Sequence, residues 1–260
     1  MAASDLDVRT TPTIPAGRIA RTRHLWRLFR DEKRNPGPFY DYLAAQAVAD
    51  IEAHGAPVAG QVIVDLGCGP GFYTRGFRAA GAEVIPIEYD FDELTYAGDD
   101  TRVQAEPPAD AMVGDARRLP VRTGVADGIF CSNMLEHTPD PVAVINEMVR
   151  VLKPGGWGYL SWTNWYSPWG GHDISPLHYF GPELGQKIHR KLGRPEPKNV
   201  PGVNLFPTHI GPTLARIDAR SDVVVERVEP RYWPWARPIV KIPGVREVIT
   251  WNCVIRFRKA

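Results

Sequence analysis

Residues Val62–Thr74 read VIVDLGCGPGFYT, and the organisation of the chain follows from that stretch. Gln61–Leu66 is a short, apolar strand of the kind that is buried on both faces of a parallel sheet. It runs into Gly67-Cys68-Gly69-Pro70-Gly71 and then directly into a helix. Glycines have no side chain and tolerate unusual dihedrals, so such a turn lets a ligand come close to the backbone. A dinucleotide site spaces its third glycine one residue later. Phe72 stands at that position, and its ring spoils close packing of helix on strand. Asp65, at the strand end, would repel a pyrophosphate but hold an ammonium group. The turn leans away from phosphate-bearing nucleotides.

Outward from this turn, strands alternate with helices. AEVIPIE (82–88) is a second strand, DAMVGDA (110–116) a third and ADGIFCSN (126–133) a fourth. PDPVAVINEMVRVLKPGG (139–156) is a helix with Pro near its start and Gly at its end. WGYLSWT (157–163) is a fifth strand, and SDVVVERVE (221–229) and ITWNCVIRFRK (249–259) are expected to pair as an antiparallel hairpin. The alternation predicts a mostly parallel sheet covered by helices on both faces. Two segments stand apart. Residues 1–35 form a tail, expected to be mobile to about Gly17, and a basic helix whose Leu25, Trp26, Leu28 and Phe29 dock on the core. The remainder, 36–260, is one domain, interrupted at about 164–212 by a Gly-, Pro-, Trp- and His-rich segment of the length expected of a lid or binding loop.

Composition narrows the function classes. A formal net charge of +1 gives no field to attract nucleic acid. Cys68, Cys131 and Cys253 are too scattered for a disulfide framework or a zinc cluster and read as reduced thiols of a cytoplasmic protein. No apolar run approaches the length of a membrane span, so stable membrane insertion is not expected. The first residues lack the apolar core of a secretory signal.

In this order and at these places, the motifs resemble those of the class I S-adenosylmethionine-dependent methyltransferases over roughly Val62–Ser161. The resemblance implies a Rossmann-like α/β fold with a seven-stranded, mostly parallel sheet and an antiparallel last strand. It implies S-adenosylmethionine as cofactor and S-adenosylhomocysteine as product. Asp65, Gly67, Cys68, Gly69 and Gly71 then form the cofactor turn. Glu88 takes the place of the acid that binds both ribose hydroxyls, and Tyr89 is placed to pack on adenine. Asp115, followed by Ala116, accepts from the adenine amino group, and Ser132-Asn133 begins the loop beside the sulfonium. More narrowly, an FY…LA helix, a GGH element and PRYWPW near the end resemble a group of bacterial methyltransferases. By that resemblance Tyr40 reaches the methionine end of the cofactor; packing of an amphipathic helix explains it equally well.

The acids at 65, 88 and 115 speak for binding of the cofactor, not for turnover, so a non-catalytic binding protein is one alternative. An alcohol acceptor needs its proton removed, and His137, just past the fourth strand, is the leading base because imidazole titrates near working pH. Glu136 is read as structural. His172 and Asp173, with His178 close behind, are a second polar cluster. Metal-dependent relatives place acidic ligands where this chain has Ser132-Asn133 and Thr163-Asn164, so no metal is expected. Of the eight tryptophans, Trp162, Trp165, Trp169, Trp233 and Trp235 fall in two candidate acceptor regions; Trp165, Trp169 and Trp235, with His178, are the substrate residues expected. The acceptor reading is a hydroxyl of a small metabolite, sugar or glycan, with carbon or nitrogen of a lipid or quinone as the alternative. A nucleic-acid partner is not expected, since Ser132–Leu135 lacks the Pro-Pro-aromatic run of base methylators. A monomer or a homodimer fits equally.

Overall fold

Seven strands pair into one sheet in the order β3-β2-β1-β4-β5-β7-β6. The computed structural model describes residues 12–32, 34–94 and 107–260, so most of the expected N-terminal tail lies outside the described residues. The strands are β1 (Val62–Leu66), β2 (Glu83–Glu88), β3 (Met112–Val113), β4 (Ala126–Ser132), β5 (Leu152–Thr163), β6 (Val223–Pro230) and β7 (Asn252–Lys259). The first five pair in parallel, and β7 inserts antiparallel between β5 and β6. The expected hairpin is therefore present. Its second strand is interior, while β6 forms the edge.

Because side chains alternate along a strand, each buried strand feeds two cores. Val64, Ile129, Cys131, Leu160 and Ile255 pack on one face with Val144, Ile145 and Met148 of α4 (Pro141–Val151) and with Ile210 and Ile217 of α6 (Ile210–Asp218). Ile63, Phe130, Tyr159 and Val254 pack on the other against α2 (Pro36–Ala53) and Phe77 of α3 (Phe72–Ala79). Helix α1 (Arg18–Asp31) joins this second core through buried Leu25, with Leu28 and Phe29 partly covered. The basic helix is thus packed on the same core as the rest of the domain.

Two boundaries differ from expectation. Helix α4 stops at Val151, and Leu152–Gly156 belongs to β5. Leu152 is already extended, and Pro154 biases Lys153 away from the helical region. The extra residues are absorbed by an irregularity opposite Ala126–Gly128. The third strand keeps only Met112–Val113 of the expected seven residues.

The segment from 164 to 212 carries short 3₁₀ turns at His172–Ile174 and Leu177–Phe180 and the helix α5 (Pro182–Lys191). A short helix α7 (Val245–Ile249) precedes β7.

Candidate functional site

The sheet order reverses between β1 and β4, and in open α/β sheets the crevice at that switch point, beyond the carboxyl ends of the strands, is where ligands bind. A cavity of about 950 Å³ lies there. It is at the upper end of the ~300–1,000 Å³ usual for ligand pockets, room for a cofactor and an acceptor together.

One end is built by the glycine turn. Gly67 and Cys68 donate their N–H groups to Ile87 O at 2.8 and 3.1 Å, fastening the turn to β2. Gly67 has φ +74°, and a Cβ there would stand 2.8 Å from Met134 Cγ, so only glycine fits. Glu88, at the end of β2, accepts from Gly69 N–H at 2.8 Å through Oε2, and from Tyr89 and Asp90 N–H at 2.8 and 3.2 Å through Oε1. Asp115 is gripped by Arg117, with contacts of 2.7–3.1 Å, and this partner holds its carboxyl below the usual range. Gly67, Cys68, Gly69, Glu88, Tyr89, Asp115, Ala116, Ser132, Asn133 and Tyr40 all line the cavity, as expected of cofactor contacts. Tyr40 stacks on Phe72 at 5.2 Å, as the packing alternative expects, and also lines the cavity.

Two members of the expected cofactor set do not reach the cavity. Asp65 is turned under the glycine turn, where its buried carboxyl accepts from Thr74 Oγ1 at 2.6 Å. Desolvation, opposed by that bond, pushes its pKa up to about 7. Gly71 starts α3 and does not line the pocket.

The other end begins at Asn133, which has φ +54°. This left-handed turn is held from the last strands: Asn252 Nδ2 donates to Asn133 Oδ1 at 2.6 Å, and Arg231 donates to Ser132 Oγ at 2.7 Å. Arg231 also bonds the Tyr73 hydroxyl. Sequence reasoning missed Arg231, Asn252 and Tyr73; the only signal was the Arg inside the PRYWPW run.

His137 lines the cavity next to this turn, with its ring 5.0 Å from that of His172. His137 Nδ1 lies 2.7 Å from Asn204 O. A carbonyl only accepts, so Nδ1 carries a proton, and Nε2 is the nitrogen not engaged by this bond. His172 also lines the cavity, in a left-handed backbone with φ +47°. Burial lowers its pKa and keeps the ring neutral.

The segment expected as an acceptor lid contributes one wall of the cavity. Ser167, Trp169, His172, Lys198, Asn199, Val203 and Asn204 face the cavity. Trp169 packs on Trp251 at 4.7 Å, and Trp251 on Trp233 at 4.9 Å, making an aromatic side. Three expected acceptor residues are elsewhere. Trp165 is buried against His178, and His178 is itself fully buried, donating from Nε2 to Ser167 O at 3.0 Å. Both hold the lid's interior together. Trp235 is 56% exposed and off the cavity; its neighbour Trp233 takes the place expected for it. Asp173, expected as catalytic, accepts from Asn199 N–H at 2.9 Å and fastens a lid turn.

All three cysteines are free and buried, and burial pushes each thiol up, so none is a nucleophile. No described helix is long and apolar enough to cross a membrane.

If Glu88 accepts from the ribose hydroxyls, as the resemblance implies, Glu88→Ala should weaken cofactor binding by about 1.5–3 kcal/mol. Titration calorimetry of the two proteins checks it, and equal affinities would mean that β2 ends elsewhere than at the ribose.

Residues 64–160 match the family described as methyltransferase domain. An uncharacterized methyltransferase of Mycobacteroides abscessus is 36% identical over 92% of this chain and 94% of its own length. One from Mycobacterium leprae is 37% identical over 92% of this chain and 90% of its own. A crystal structure of an S-adenosylmethionine-dependent methyltransferase from Mesorhizobium loti superposes with a TM-score of 0.53 at 21% identity, covering 81% of this chain and 96% of that one.

Proposed function

The chain belongs to the class I S-adenosylmethionine-dependent methyltransferases, and from that membership we propose that it methylates a hydroxyl oxygen of a small, ring-bearing metabolite or sugar. The observation that carries this reading is His137, whose ring lines the acceptor end of the cavity beside His172 with Nδ1 turned to Asn204 O and Nε2 left as the nitrogen that can take a proton. Oxygen acceptors need such a lone pair; a hydroxyl that keeps its proton is a poor nucleophile.

The cavity fits the cofactor. The backbone at Gly69 is open, with no atom within 4 Å of where a Cβ would stand, and the two acids ending β2 and following β3 line the same side. Glu88 would hold the ribose, Asp115, Ala116 and Tyr89 the adenine, and Gly67, Gly69 and Tyr40 the methionine end. When bound, S-adenosylmethionine supplies a methyl group on a positively charged sulfur. The chain's own task is then to align the acceptor with the sulfur–methyl bond, and such positioning supplies roughly 7–11 kcal/mol. Asn133, Ser132 and Arg231 fix the floor of that alignment, and the Trp169–Trp251–Trp233 side offers faces for a ring to stack on.

The same aromatic side favours a second reading, methylation of carbon or nitrogen in an apolar acceptor such as a lipid or quinone. Screening hydroxylated acceptors with ¹³C-methyl-labelled cofactor, followed by mass and NMR analysis, separates the two. A methyl resonance on oxygen is expected, and one on carbon or nitrogen would overturn the oxygen reading.

A further inference from the structure

Glu136, buried behind the acceptor end of the cavity, and His137 and His172, which line it, each offer one ligand atom, all within 4.8 Å of one another. Two of the three are incomplete as they stand. Glu136 is 1% exposed; its Oε1 accepts from Thr163 N–H at 2.9 Å, but its Oε2 is buried with no hydrogen-bond partner. His172 Nε2 is likewise buried without a partner. A buried polar atom left unpaired is costly, and a carboxylate oxygen and an imidazole nitrogen from different segments, both unpaired in one cluster, ask for something between them. His137 adds Nε2 as its ligand atom, since its Nδ1 is engaged by Asn204 O. That bond is of the kind that orients a metal-binding imidazole through its other nitrogen. The backbone keeps the arrangement at a price in strain: His172 is one of two described non-glycine residues with positive φ.

We propose that Glu136, His137 and His172 hold a divalent transition-metal ion whose open positions face the acceptor. Two imidazoles and one carboxylate suit zinc, iron, cobalt or manganese, whereas calcium and magnesium prefer oxygen ligands throughout. Three ligands at ~2.0–2.2 Å from one ion stand roughly 3.3–3.8 Å apart, so a pair at the 4.8 Å limit must close by about 1–1.5 Å, a movement within the reach of side-chain rotation. Asp173, the acid next to His172 in sequence, is not part of the set because it is spent on Asn199.

The site itself stands on this geometry; its role rests on the oxygen-methylation reading. An acceptor hydroxyl in an open position of the ion gives up its proton to water at neutral pH, as metal-bound water does. The alkoxide oxygen then forms the bond to the methyl carbon while the sulfur–carbon bond breaks and its electron pair returns to sulfur. The proton leaves to solvent, and no oxidant or reductant is needed.

The test begins with full-length protein stripped by chelator and titrated with Co²⁺, read by visible absorption and calorimetry. One Co²⁺ per chain is expected, displaced by Zn²⁺. Glu136→Gln and His172→Ala should each weaken it at least about tenfold, and His24→Ala on α1 should not. Glu136→Gln is isosteric and keeps an acceptor for Thr163 N–H, so it decides the matter if His172→Ala fails to fold by near-ultraviolet circular dichroism. No Co²⁺ bound, or equal binding by wild type and Glu136→Gln, would overturn the site. The activity arm separates the two readings. Turnover lost with chelator and restored by Zn²⁺ or Co²⁺, with the methyl on oxygen, supports both. An O-methyl product from chelated protein that binds no Co²⁺ removes the metal and keeps the oxygen reading, leaving Glu136 and His172 as a proton relay. Co²⁺ bound with the methyl on carbon or nitrogen keeps the metal site and overturns the oxygen reading. Co²⁺ bound with turnover indifferent to chelator overturns the catalytic role.

Discussion

Replacing His137 by alanine should cut turnover by roughly 10²–10⁴-fold, the usual worth of a positioned acid–base group, with cofactor affinity nearly unchanged. The reason is spatial separation within one cavity. His137 stands past the end of β4 with Asn204 behind it, while Glu88 and Asp115 engage their own partners at the ends of β2 and β3. Whether the Nε2 lone pair takes the acceptor proton or holds an ion that displaces it, alanine removes it. The folding cost is small, since the lost bond to Asn204 O is worth about 0.5–1.5 kcal/mol. Steady-state kinetics and calorimetry on the same preparation check this. A fully active variant would clear His137 and move the chemistry to His172, the other imidazole lining the cavity.

The second large effect is on stability and comes from Asp65. Burial raises its folded-state pKa to about 7, with the Glu88 charge adding to the rise and the Thr74 hydroxyl opposing it. The unfolded chain releases this proton near pH 4, whereas the cofactor-free folded chain keeps it to about pH 7. Between those values the folded state binds more protons than the unfolded state. Stability therefore falls as pH rises through this window and is flat above it. Three pH units at ~1.36 kcal/mol each give a loss of about 4 kcal/mol. Asp65→Asn keeps an oxygen for Thr74 Oγ1 but carries no titrating group. The variant should match wild type in urea unfolding near pH 4 and exceed it by up to about 4 kcal/mol at pH 7.5. A stability difference independent of pH would show that the carboxyl is ionised throughout.

What could be read from the sequence, and what could not, divides along chain separation. The glycine turn, the acids at 88 and 115 and the alternating strands are local patterns, and the structure puts them where the sequence predicts. The failures sit where a side chain's direction depends on a distant segment. Asp65 is the exception, because the bond that turns it inward comes from Thr74, within the same motif as Gly67. Trp165 and His178 have the composition of an acceptor surface and are buried against each other within the lid. Trp233 and Trp235 are two residues apart, and only packing against Trp251 decides that the first faces the cavity. Glu136 has the structural role the sequence implies through one oxygen, which accepts from Thr163 N–H, while the other is left without a partner. Arg231 and Asn252 are 98 and 119 residues from Asn133, beyond any local motif.

That last separation has a consequence for biosynthesis. The ribosome makes the cofactor turn and Asn133 long before Asn252, and β7 must enter between β5 and β6 to deliver it. A nascent chain can therefore assemble β1 to β5 early, but β5 keeps an unpaired border until β7 arrives. Pairings of such long sequence separation form late and slowly. The glycine turn and the ends of β1 and β2 can mature first, whereas the turn at Asn133 is fixed only as β7 closes the sheet.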